Sequence, residues 1–460
     1  MQLTQKIRIF PTVEQEDVLW ILSEKCRLLY NFALGHRNDV YKKTGASITY
    51  NMQQDELPEI KKKYPEYEWV YSKVLQMVLK GLDADFKSFI MLKKNSKEGK
   101  GDKNAKTPGY KGRDYFTTMN YNQSGFKIEN GKIILSHYYK NGSIPLIFEI
   151  PKDLIDNADI CLQTIYDFGK IKQISVYRSE PNRYKEGEYY LSIVYEIPDV
   201  PYKDNGKYQA IDLGINKTVT AVNTEGKFFE IGNPRQDKYW NPIIDSIQSK
   251  RDHCLKGSAR WNLLHDLLRK CKKKLHNQVK DNQQKWTTKM TKNTKANTII
   301  VGDLQVKEMA QFEIGRRNYG SKLNRSTQNQ GYLARFVGFL TYKAEKIGKR
   351  VIEINERGTT KRCYACGKMH DMPLWKRTYS CDCGNIIDRD RNSAVNIMIN
   401  FLLQCSRESD RISQNGLWTA YQRFVDNLRQ TGLLVPTWIT CPIGTNGTLV
   451  GSYPLAISFS

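Results

Sequence analysis

The sequence predicts an α/β domain joined to a small antiparallel β-barrel, and three observations carry that expectation. Between Tyr115 and Pro198, short runs of alternating apolar residues are separated by turn signals, the texture of hairpin-connected strands. From Tyr208 onward, apolar strands alternate with longer stretches of helical periodicity, the pattern of a sheet covered by helices. Two close cysteine pairs, Cys363-Tyr-Ala-Cys366 and Cys381-Asp-Cys383, lie fourteen residues apart inside that second region and require a local fold of their own.

Composition narrows the function. The 460 residues suffice for two to four domains with real cores. Lys and Arg outnumber Asp and Glu by 72 to 48, a net charge of +24, so a large polyanion is the expected partner, with a generic basic surface as the plainer reading. Interleaving of 27 tyrosines with the basic runs suits stacking on bases. No segment approaches the length of an apolar membrane span, and the first residues lack the apolar stretch of a signal peptide. The cysteines outside the pairs (Cys26, Cys161, Cys254, Cys271, Cys405, Cys441) are scattered, as free thiols in a reducing compartment are. The expectation is a soluble, cytoplasmic protein.

Taken in order, Gln2 to Phe10 alternates as a strand that Pro11 ends, and Thr12 with Gln15 forms a capping box. Val18, Leu19, Leu22, Cys26, Leu29, Tyr30 and Ala33 recur at helical spacing, and a second helical pattern covers Tyr71 to Leu92; the two are expected to pack together. Lys93 to Arg113 is glycine-rich and basic, either a solvated loop or a phosphate-contacting segment with Lys111 and Arg113 as candidates. The strand-rich stretch follows, with a hairpin turn at Asn130-Gly131, and the first strand can belong to the same barrel. Residues 200–207 read as a linker.

At Tyr208 a strand carries Asp212 near its end, turns at Gly214 and returns to Val222. That is how ribonuclease-H-like folds present a first metal ligand, although an Asp before Leu-Gly also serves as a plain turn residue. Trp261, Leu264, Leu268, Cys271, Leu275 and Val279 form the apolar stripe of a long helix. Arg269, Lys270, Lys272, Lys273 and Lys274 crowd its other faces, a track for a nucleic-acid backbone or a merely solvated face. Residues 296–306 read as a buried strand, 332–347 as a helix and 350–356 as a further strand leading into the cysteines. Asp388-Arg389-Asp390 then opens a final helix.

Paired cysteines on tight turns can aim four thiolates at one tetrahedral ion, and Gly367 and Gly384, one residue past each pair, permit the backbone such knuckles need. The alternatives are a chance group of reduced thiols or two disulfides. Four thiolates leave no open position, so a Zn²⁺ held by Cys363, Cys366, Cys381 and Cys383 would be structural.

Ala210-Ile-Asp-Leu-Gly-Ile215, the later Asp303-Leu304 strand, the two cysteine pairs and Asp388-Arg-Asp-Arg-Asn-Ser-Ala-Val-Asn-Ile397, in this order, resemble the TnpB family of transposon-encoded proteins related to compact type V CRISPR effectors. The resemblance covers roughly residues 1–404. It implies an oligonucleotide-binding barrel (WED; 1–10 and 107–205), an inserted helical REC lobe (11–106), an RNase H-like RuvC domain (206–355 and 388–404) and an inserted zinc ribbon (356–387). Beyond it, Leu417, Tyr421, Phe424 and Leu428 recur at helical spacing in a C-terminal tail (405–460) that is expected to be partly disordered. The resemblance further implies an Mg²⁺-dependent, RNA-guided endonuclease that binds a guide RNA and cuts target double-stranded DNA next to a short motif, with a monomer on its RNA as the expected form.

The family's catalytic acids are an Asp on the first strand, a Glu before Asp-Leu, and the second Asp of the Asp-Arg-Asp triplet. Asp212 and Asp390 match; the middle position is Gly302. Of the possible replacements, Asp303 faces the opposite side of its strand, and Glu308 lies beyond a turn. Glu356, at the end of the next strand, can reach the same place, and some relatives lacking the usual Glu carry Asn-Glu there. Asp212, Glu356 and Asp390 are therefore the expected ligands of two Mg²⁺ ions. Arg389 is either a phosphate contact or a partner of Asp388. A nuclease-dead RNA-guided repressor and a protein-only zinc DNA-binding factor or strand-transfer transposase are the competing readings.

Overall fold

The computed structural model describes residues 1–98, 105–150, 170–303, 332–373, 375–408 and 411–439. The chain divides into two units, Met1–Pro198 and Asp199–Ser460. Among the described residues no helix is long and apolar enough to cross a membrane.

In the first unit, strand β1 (Gln2–Ile9) leads to helix α1 (Val13–Thr44), whose N-terminus carries the Thr12–Gln15 capping box. The helix runs ten residues past the expected end at Leu34. Short helices α2 (Tyr50–Asp55) and α3 (Leu57–Lys63) precede α4 (Ser72–Lys97), which extends into the basic stretch that the sequence assigns to a loop. Helices α1 and α4 pack together as expected, tied by Tyr30 Oη donating to Asp85 (2.9 Å) and by the Arg37–Asp83 ion pair (3.2 Å).

Strands β2 (Met119–Asn122), β3 (Phe126–Glu129), β4 (Lys132–Leu135), β5 (Leu146–Glu149), β6 (Lys170–Arg178) and β7 (Tyr189–Glu196) follow. They form two antiparallel sheets, β1-β7-β6-β2 and β3-β4-β5, with the β3–β4 turn at Asn130-Gly131. β1 pairs with β7 along its whole length, from Gln2 opposite Glu196 to Ile9 opposite Tyr189. Among the described residues the strands pair as two sheets over one core with α1 and α4 and close no barrel, and the antiparallel expectation holds.

The second unit begins earlier than residue 206. Tyr202 Oη bonds Thr298 (2.7 Å), Asn205 Nδ2 donates to the Lys295 carbonyl (2.8 Å), and Asn297 Nδ2 donates to the Lys203 carbonyl (2.8 Å). The expected linker is thus stitched to residues 295–298, where a central strand of the following sheet begins.

That sheet contains β8 (Tyr208–Leu213), β9 (Lys217–Asn223), β10 (Phe228–Gly232), β11 (Thr298–Asp303) and β12 (Arg350–Asn355), in the order β10-β9-β8-β11-β12. β8, β11 and β12 are parallel and the β8-β9-β10 pairs antiparallel. Between β10 and β11 lie α5 (Gln236–Asp252) and α6 (Ala259–Asn293), and α7 (Leu333–Glu345) precedes β12. A short hairpin, β13 (Thr378–Ser380) and β14 (Ile386–Asp388), carries the second cysteine pair. Helices α8 (Arg389–Glu408) and α9 (Arg411–Gln430) complete the unit.

Strand alternation splits the core between the two faces. Ile211, Leu213, Ile299 and Val301 pack against Met290 of α6 and Phe336 and Leu340 of α7. Tyr208, Ala210, Ile300 and Ile354 face α8, in a core shared with Cys363, Tyr364, Tyr379 and Cys381. The cysteine knuckle is therefore part of the domain core. The stripe Leu417, Tyr421, Phe424 and Leu428 on α9 is buried in the same core. Residues 405–408 and 411–430, placed by sequence in a tail with one helical stretch, are helix; residues 440–460 and Glu308 lie outside the described residues.

Because Phe424 is fully buried, Phe424→Ala is expected to destabilise the second unit by about 3–5 kcal/mol. Denaturant unfolding measures this, and a loss within 0.5 kcal/mol, roughly the size of a surface effect, would place α9 outside the core.

Candidate metal centre and acidic site

The sheet register determines where the acids meet. Val301 pairs with Ile211, which puts position 302 beside Asp212, and Gly302 pairs with Ile354 on the other side. Residues 212, 302, 354 and 356 share the α8 face by alternation, so Glu356 lies one pleat beyond the position next to Gly302. The consequence is steric. A Cβ built on Gly302 would collide with Glu356 Oε2 and lie 3.1 Å from both Cβ and Cδ of Glu356. The Glu356 side chain occupies the room that a side chain at 302 would need.

Asp390 enters from the first turn of α8 and Asp212 from the end of β8. Burial pushes the Asp212 carboxyl well above the ordinary range, and the charges of Glu356 and Asp390 push it further. Burial, followed by the charge of Asp303, raises Glu356 to about 7. Burial also raises Asp390, against the pull of Arg377, whose guanidinium lies 3.3 Å from its Oδ2. Glu356 Oε2 is buried with no hydrogen-bond partner. A mutually repelling carboxylate group with an orphaned oxygen is a donor set suited to hard divalent cations. The three acids are spread wider than a single-ion cluster: among the described residues, only the four cysteines form a set of three or more candidate ligands whose atoms all lie within 4.8 Å.

The neighbouring acid Asp388 has a different fate. Its Oδ1 accepts from the backbone N–H groups of Asp390 (2.9 Å) and Arg391 (3.2 Å), capping α8, while Lys217 Nζ lies 3.1 Å from Oδ2. Burial opposes ionisation, yet the Lys217 and backbone hydrogen bonds hold Asp388 below the ordinary carboxylate range. Arg389 does not pair with Asp388; its Nη1 donates to the Pro373 carbonyl (3.1 Å).

The cysteines converge as expected. The Cys363–Cys383 and Cys366–Cys381 sulfurs are 3.7 and 3.5 Å apart, close to the roughly 3.8 Å edge of a tetrahedron with metal–sulfur bonds of about 2.3 Å. Gly367 and Gly384 adopt φ of +75° and +87°. Asn385 Nδ2 donates to Cys363 Sγ (3.3 Å), and His370 Nε2 lies 3.0 Å from Cys381 Sγ.

Two further attachments escaped the sequence reading. Asn392 and Asn396, four apart on α8, each donate to the Thr359 and Arg362 carbonyls and so hold the segment between Glu356 and the knuckle. From the C-terminal side, Thr437 N–H donates to the Ala365 carbonyl (2.8 Å) and Trp438 Nε1 to the Tyr364 carbonyl (2.9 Å). The indole lies so close to Gly367 that a Cβ there would sit 2.8 Å from Trp438 Cγ. The Asn-x₃-Asn spacing was visible in sequence; the Trp438 contact had no local signal.

Of the candidate nucleic-acid contacts, Lys270, Lys272, Lys273 and Lys274 are exposed on α6 and Arg269 is half-buried, while the expected apolar stripe faces inward. Arg113 is exposed. Lys111 is not a free surface cation: its ammonium lies 4.0 Å from the centre of the Tyr30 ring, and burial lowers its pKa.

Residues 334–397 match a family described as "Cas12f1-like, TNB domain", residues 192–313 one described as "Probable transposase", and residues 1–46 one described as "Helix-turn-helix domain". A Streptomyces pristinaespiralis protein named "Putative RNA-guided DNA endonuclease" is 24% identical over 431 residues, 91% of this chain and 96% of its own. A "TnpB-like protein" of Acanthamoeba polyphaga mimivirus is 34% identical over 145 residues, covering 31% of this chain and 26% of its own. Together these matches support a TnpB family member. Its fold is similar to that in the "Cryo-EM structure of the Cas12f1-sgRNA-target DNA complex", with a TM-score of 0.52 at 14% identity over 84% of this chain and 83% of the other. In this chain, residues 1–46 form a strand and one unbroken helix to Thr44, so the helix-turn-helix description does not fit their shape.

Two outcomes follow. The folded state holds a proton on Glu356 that the unfolded chain releases, so without divalent cations stability should fall as pH rises from about 4.5 to about 7, by at most about 3 kcal/mol from this group. Thermal melts across that window should show a shallower slope for Glu356→Gln; an unchanged slope would mean Glu356 is not the raised acid. Trp438→Ala should speed release of the knuckle metal to a chromogenic chelator by about tenfold, and wild-type release would show that the contact does not brace the site.

Proposed function

We propose that this chain is an RNA-guided DNA endonuclease that hydrolyses phosphodiester bonds at one site made of Asp212, Glu356 and Asp390. The observation that carries the reading is the Glu356 carboxyl filling the room over Gly302, with a buried, unpartnered oxygen directed into an acidic group. A nuclease-dead binder has no use for so costly an arrangement. The Streptomyces relative named for this activity aligns over nearly its whole length, and the solved complex of similar fold holds guide RNA and target DNA.

Asp212, Glu356 and Asp390 would hold two Mg²⁺ ions, which supply Lewis acidity and a nucleophilic water at neutral pH. Asp212 and Asp390 are carried by a rigid strand end and a capped helix turn, so their carboxylates are directed before substrate arrives. Arg377, poised at Asp390, is free to transfer its charge to an incoming phosphate. Cys363, Cys366, Cys381 and Cys383 would hold a structural Zn²⁺. The exposed lysines of α6 suit a nucleic-acid backbone, while sequence is read by guide–target pairing.

The test uses the chain with its co-purifying RNA and a matched DNA duplex in Mg²⁺. Asp212→Ala and Asp390→Ala should lower cleavage by more than about a thousandfold with RNA binding intact. Gly302→Ala should also impair cleavage, because its Cβ drives Glu356 from its place. Combining Gly302→Glu with Glu356→Ala returns the acid to the strand and should restore cutting relative to Glu356→Ala alone. Wild-type cleavage by Glu356→Ala would reject the relocated acid.

A further inference from the structure

Glu356 stands just past the end of β12, so it lacks the strand backbone that would fix an acid at 302. Two buried hydroxyls link it to the strand-borne acid. Ser393 Oγ donates to Asp212 Oδ1 at 3.0 Å, and Thr359 Oγ1 lies 3.1 Å from Ser393 Oγ and 2.8 Å from the Glu356 carbonyl oxygen. Ser393 and Thr359 are 1% and 2% exposed, so water does not compete for these bonds.

We infer that Ser393 and Thr359 are positioning residues that couple Asp212 to the displaced Glu356 and set the spacing of the cation site. This rests on the assignment of the two acids proposed above. Ser393 gives its proton to Asp212 Oδ1 when that acid is ionised, and Thr359 Oγ1 gives its own to the Glu356 carbonyl, which also accepts the Thr359 N–H at 3.0 Å, with the two hydroxyl oxygens 3.1 Å apart. Oδ1 is then held and Oδ2 is left for a cation. At the other end the same Thr359 ties down the turn that carries Glu356, and its own carbonyl is gripped by Asn396. A small side chain at 393, one residue along α8 from Asn392, would leave the helix intact but sever this link. The hydroxyl is therefore a specific addition beyond packing.

Mn²⁺ serves as the probe, its binding to the RNA-free full-length chain measured by electron paramagnetic resonance of the free ion. Ser393→Ala and Thr359→Val should each weaken the site by about tenfold, the usual effect of removing a group that orients a ligand. Thr359→Ser, which keeps the hydroxyl, should stay within about twofold, and the double variant should lose little more than either single one, as members of one chain do. Bound zinc and melting temperature verify folding. Should Ser393→Ala not fold, the Thr359→Val and Thr359→Ser pair decides. Wild-type Mn²⁺ affinity in Ser393→Ala, with binding lost in Asp212→Ala, would overturn the positioning role alone. Undiminished binding in Asp212→Ala would overturn the acidic site on which it rests.

Discussion

A side chain at position 302 and the carboxyl group of Glu356 compete for one volume, and the second unit is built around the outcome. With glycine at 302, the acid reaches the same face of the sheet from the adjacent strand. The exchange keeps a carboxylate where Asp212 and Asp390 converge but moves its backbone from a central parallel strand to the start of a turn. Central strands are rigid because neighbours pair on both sides; a turn must be secured by other means. Here the securing groups are Thr359, the Asn392 and Asn396 amides and the knuckle that follows, all tied to α8.

The Asp388-Arg389-Asp390 triplet shows how two acids two residues apart acquire opposite properties. Asp388 spends its oxygens on the helix N-terminus and Lys217, which favour its charge. Asp390, one turn position later, faces the other acids and is held toward its neutral form by burial. Lys217 also meets Glu230, which Arg391 in turn binds at 2.7 Å. The rim of the site is thus charge-compensated, while burial and neighbouring acids hold Asp212 and Glu356 toward their neutral forms. A divalent cation would favour their charged forms more than any side chain present.

What was legible in the sequence followed from local rules. The capping box at Thr12, the Asn130-Gly131 turn, the paired cysteines and the stripes on α6 and α9 each depend on residues a few positions apart. The placement of Glu356 beside Gly302 was legible for a subtler reason: strand alternation turned Asp303 away, and the next strand offered a carboxylate at its end. What was missed depends on long-range placement. Barrel closure is a matter of which edges meet, and among the described residues the two sheets of the first unit do not pair. The linker at 200–207 has loop composition, yet Tyr202, Lys203 and Asn205 are bonded to residues about a hundred positions away. Arg389 finds a carbonyl on the knuckle arm that no charge pattern could have indicated.

The knuckle joins these strands of argument, because it is fixed from three directions. Its thiolates converge on one point, α8 holds its leading segment through two asparagines, and Thr437 and Trp438 close over its first turn. Only the first of these depends on a metal. Sequence spacing alone implies that losing the metal frees Glu356 and Asp390 together. The structure instead separates them: Asp390 sits on a capped helix packed in the core, whereas Glu356 is reached through the 359–362 segment that leads directly into Cys363. Loosening of the knuckle therefore falls first on the relocated acid. A strand-borne acid at 302 would have been insulated from the metal, so moving it to 356 makes the cysteine cluster part of the support of the acidic site.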